Sequence, residues 1–76
     1  MDIERLVAMA NDIANYFGSE PDRAAAVAGV ASHLRRFWEP RMRQKIIAHL
    51  GAGGAGLSEL AREGVAQLAE LPVQSA

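Results

Sequence analysis

Apolar residues recur along this chain at steps of three and four, the period of one face of a helix. In the first segment Ile3, Leu6, Val7, Ala10, Ile13, Ala14 and Phe17 follow that rhythm, and predict a helix over 2–17. Asp2 is suited to cap it and Gly18 to stop it. A second run, Val27, Val30, Ala31, Leu34, Phe37 and Trp38, predicts a helix over 20–38. Its start signal is Ser19-Glu20-Pro21-Asp22, with Ser as cap, Pro in the first turn and Asp completing a short capping box. Ala24, Ala25, Ala26, Ala28 and Gly29 give this helix a side with almost no bulk, along which another helix could approach. Pro40 disfavours helical geometry at Glu39 and suits the first turn of a third helix, 40–50, with Met42, Ile46, Ile47 and Leu50 inward. The fourth helix is expected over 58–71, capped by Ser58, with Leu57, Ala61, Val65 and Leu68 in one stripe. Between the last two lies Gly51-Ala52-Gly53-Gly54-Ala55-Gly56, which reads as a flexible linker. No period-two alternation competes with these helices. The expected fold class is therefore all-α, a small bundle of about four short helices in one domain over 1–76, with 72–76 as a frayed tail.

Composition narrows what such a bundle can do. The chain has 76 residues, and 15 of its 38 hydrophobic residues are Ala. A fold this small buries only about 60% of the surface its unfolded chain exposes. There is no Cys, so neither a disulfide nor a thiolate metal site reinforces it. A binding partner is thus a physical expectation, and a self-contained enzyme with its own cofactor pocket is not. No run reaches the roughly 20 apolar residues of a membrane span. Asp2, Glu4 and Arg5 stand where the apolar stretch of a secretory signal would begin. With no Cys, a cytoplasmic location is expected.

Net charge is −1, but it is unevenly placed. Residues 1–22 carry −4, residues 23–50 carry +5 and residues 51–76 carry −2. A basic centre between acidic flanks suits an acidic protein surface or nucleic acid.

Most candidate chemistry has a plain structural explanation. Gly51, Gly53 and Gly56 spell GxGxxG, but a dinucleotide fingerprint needs a strand before it, and here a helix precedes it. His33 and His49 lie on separate helices without further ligands, and no metal site is expected. Neither a nucleophile elbow around a Ser nor a buried carboxylate pair stands out, and Glu59 and Glu63 read as a solvated helix face. The informative stretch is His33-Leu-Arg-Arg-Phe-Trp-Glu-Pro-Arg-Met-Arg-Gln-Lys45, which packs five basic residues and two aromatics around a Pro. Trp and Arg are enriched at binding hot spots. The expected docking set is Arg35, Arg36, Phe37, Trp38, Pro40, Arg41, Met42 and Arg43. Arg35, Arg36, Trp38, Arg41 and Arg43 would make the contacts, and Phe37, Pro40 and Met42 would shape the elbow. One ring is expected inward and the other toward a partner, with Phe37 the stronger core candidate.

The run HLRRFWEPRMRQKIIAHLGAGGAGL (His33 to Leu57) resembles the delta subunit of the soluble NAD-dependent formate dehydrogenases, bacterial enzymes containing molybdenum or tungsten. The likeness extends through RLVAMANDIANYF and PDRAAAVAGVASHL upstream and to about Leu68 downstream. Gly64 departs from it, since a helix former such as Ala is expected there, and would weaken the last helix by about 1 kcal/mol. The resemblance implies an accessory subunit with no catalytic residue, cofactor or metal of its own. It also implies a large alpha subunit as partner, in a complex where alpha holds molybdopterin guanine dinucleotide and iron–sulfur clusters. Beta and gamma subunits there hold FMN and further clusters. The implied role is assembly, cofactor retention or stability of the complex. Two alternatives come from the residues alone. One is a homodimeric helical bundle acting as an interaction module. The other is a small nucleic-acid-binding domain, because two helices meeting at a basic corner fit helix-turn-helix geometry.

Overall fold

A computed structural model describes residues 2–71. Among these, four helices form: α1 (Ile3–Phe17), α2 (Arg23–Phe37), α3 (Pro40–Gly51) and α4 (Glu59–Glu70). The expected frayed tail at 72–76 lies outside the described residues.

The caps explain most of the boundaries. The Asp2 carboxylate accepts from the Glu4 N–H and opens α1, and Glu4 in the first turn faces the positive end of the dipole. Pro40 stands at the start of α3, where its missing N–H costs nothing. The Ser58 hydroxyl accepts from the Ala61 N–H at 3.3 Å and opens α4. The start of α2 differs from expectation. Its cap is Asp22, whose carboxylate accepts from the Ala24 N–H, and Ser19, Glu20 and Pro21 lie before the helix. The Glu20 carboxylate accepts from the Asp22 N–H at 3.1 Å, so the stretch before α2 is organised by side-chain-to-backbone bonds of its own.

One buried cluster joins the helices. Leu6, Ala10 and Ala14 of α1 meet Val27, Val30, Ala31 and Leu34 of α2, Ile46 of α3, and Leu60, Ala61, Val65 and Leu68 of α4. Ile3, Val7, Ile13, Phe17, Met42, Ile47 and Leu50 pack around it half-buried, so all the predicted stripes turn inward except at Phe37. The most extensive helix pair is α2 with α4. Gly64 sits at that crossing, where an added Cβ would fall 2.7 Å from the Val30 Cβ. The glycine expected only to weaken α4 is thus where the two helices approach closely. Gly29 plays a related part against α1, since a Cβ there would lie 2.5 Å from Cδ1 of the Phe17 ring. At the surface of the α2–α4 pair, Arg23 donates to Glu63. That hydrogen bond holds the Glu63 carboxyl below its ordinary value of 4.5. The small stability it supplies is therefore present at neutral pH and is lost as pH falls through the lowered value.

Residues 51–56 are not the flexible linker their composition predicts. Gly51 is the last residue of α3, and Gly53, Gly54 and Gly56 all take positive φ (119°, 65° and 87°), which glycine adopts without strain. The Gly54 N–H returns to the His49 carbonyl at 2.8 Å. Arg62 donates to the Gly53 carbonyl at 2.7 Å and the Gly54 carbonyl at 3.2 Å. His49 Nε2 donates to the Ala55 carbonyl at 2.8 Å. Asn11 of α1 bridges the exit: its amide donates to the Gly56 carbonyl (2.9 Å) and its oxygen accepts from the Ser58 N–H (2.8 Å). Asn11→Ala is expected to cost about 1 kcal/mol, the net worth of such hydrogen bonds at an exposed site. It should also speed amide exchange at Ser58 ahead of the α2 core amides. Unchanged exchange at Ser58 would show that the bridge does not hold the loop.

Candidate functional site: the α2–α3 corner and its aromatic border

Pro40 and the extended backbone at Trp38 (φ −88°, ψ 140°) and Glu39 (φ −66°, ψ 154°) turn the chain sharply between α2 and α3. Arg43 secures the turn from the far side. Its guanidinium donates to the Arg35 carbonyl, one of the last α2 carbonyls that no helical N–H can reach.

The corner sorts the expected docking residues into two groups. Trp38 is buried, at 5% exposure, in the common core. Met42 is half-buried against that core, and Arg43 is half-buried and engaged with the backbone. Arg36, Phe37, Pro40 and Arg41 are exposed, and Arg35 is half-exposed. The two rings have therefore exchanged the places expected of them: Trp38 turns inward and Phe37, at 69% exposure, turns outward. The reason lies in the helical rows. Val27, Ala31, Leu34 and Trp38 follow one another at steps of four, three and four on the side that meets the core. Phe37 instead ends the row Gly29–His33–Phe37, which lies one place round the helix.

That row is where the structure adds to the sequence reading. Phe17 of α1 lies over Gly29. Its ring also meets His33 edge-on, with centroids 6.4 Å apart. His33 in turn stacks at a tilt on Phe37, at 4.7 Å. On the other side Tyr16, 78% exposed, meets Phe17 edge-on at 5.0 Å. Four rings thus form a continuous surface strip from the end of α1 to the end of α2. Sequence reasoning misses Tyr16 because it falls outside the α1 stripe, and Phe17 because its place in the stripe marks it as core. The visible signal is His33 and Phe37 four apart on one helix face.

As for the remaining candidates, His33 and His49 are both half-buried on helix faces. Among the described residues no three of His, Asp or Glu gather as metal ligands, and no helix is long and apolar enough to cross a membrane.

The described residues thus form an all-helical fold whose α2–α3 corner exposes arginines and the Phe37 ring. Comparison with known families places the chain. Residues 5–65 match the model of the NADH-dependent formate dehydrogenase delta subunit, FdsD, and the chain belongs to that family. No curated protein and no solved structure gives a significant match. The family is one of accessory subunits, so the chain's setting is a multi-subunit formate dehydrogenase.

Proposed function

We propose that this chain is a non-catalytic delta subunit that binds the large alpha subunit of a cytoplasmic, NAD-dependent formate dehydrogenase. There it supports assembly, retention of cofactors or stability of the complex. The cofactors concerned are the molybdopterin guanine dinucleotide and iron–sulfur clusters of alpha, within a complex whose beta and gamma subunits hold FMN and further clusters. Family membership over residues 5–65 is the observation that carries this reading. The corner supports it physically. Arg36 and Arg41 are exposed guanidiniums without an ion pair among the described residues, and such groups suit carboxylates on an acidic surface. The docking set is accordingly Arg35, Arg36, Phe37, Pro40 and Arg41 at the surface, with Trp38, Met42 and Arg43 holding the corner from within.

The test is native purification of the tagged chain from its own cells. A molybdopterin-containing large subunit should co-purify, with formate-dependent NAD reduction in the eluate. Deleting the chain should lower the yield of cofactor-loaded complex while leaving turnover per bound metal unchanged. A lone chain, a homodimer without other subunits, or a chain that brings nucleic acid would overturn the reading. So would a fall in turnover per metal with loading intact, because that would place the chain in the chemistry.

A further inference from the structure

We draw no further inference here: the strongest candidate, the surface strip of Tyr16, Phe17, His33 and Phe37 from the end of α1 to the end of α2, carries nothing, because Glu20 and Arg36 border it with opposite charges and nothing in the structure shows what covers it.

Discussion

Trp38→Ala is expected to remove a large part of the stability of the isolated chain. Truncating a buried Trp removes about 3–5 kcal/mol, combining lost transfer energy with the cavity left behind. At roughly 0.05–0.15 kcal/mol per residue, a chain of this length has only about 4–11 kcal/mol in total. Trp38 is 5% exposed and closes the Val27–Ala31–Leu34 row where α2 meets α3, so collapse around the cavity would disturb the corner that presents Arg36, Phe37 and Arg41. Urea denaturation followed by far-ultraviolet circular dichroism measures the effect. Because Trp38 is the only Trp, wild-type fluorescence gives a second check: emission should be blue-shifted in the folded chain and move to the red through the same transition. Any loss of Trp38→Ala from the complex should follow its loss of fold, whereas Phe37→Ala should lose affinity with its fold intact. A Trp38→Ala chain as stable as wild type would mean that the ring is not in the core, and would return it to the docking surface.

That contrast shows how far the sequence can be read. Helix existence is legible everywhere because caps and periodicity are local signals: Asp2, Pro40 and Ser58 each stand at the start they announce. The start of α2 is expected three residues early. Two start signals overlap there, and only the hydrogen bonds of Asp22 to Ala24 and of Glu20 to Asp22 decide between them. Periodicity identifies the α2–α3 corner but cannot choose between adjacent rings. Phe37 and Trp38 both fit a helical stripe until the packing of α4 and α1 on α2 fixes its centre. The loop at 51–56 is misread for a different reason. Gly-rich composition is the same whether a segment is loose or folded into left-handed turns, and the groups that order it, Asn11, His49 and Arg62, are supplied by three different helices. The aromatic strip needs the fold outright, since Tyr16 and Phe17 reach His33 only once α1 lies against α2.

Gly64→Ala tests the same point with the opposite sign from sequence intuition. In an isolated helix, Ala in place of Gly favours the helical state by about 1 kcal/mol. In this fold the substitution is expected to destabilise instead. The new Cβ would fall 2.7 Å from the Val30 Cβ, too close for any real contact. Val30 is fully buried and β-branched, which restricts its χ1, so relief is expected to come from separating α2 and α4. Those two helices share the most extensive interface in the fold, and overpacking of this kind costs about 1–3 kcal/mol. A loss of at least about 1 kcal/mol should therefore remain after the gain in helix propensity. A double-mutant cycle makes the cause explicit. Val30→Ala alone should destabilise by leaving a cavity, but in combination the methyl group introduced in place of Gly64 occupies part of that space. The double variant should then be more stable than the sum of the single effects predicts, by about 1 kcal/mol or more. A urea midpoint for Gly64→Ala above wild type, or strictly additive single effects, would show that α4 does not cross α2 at this glycine.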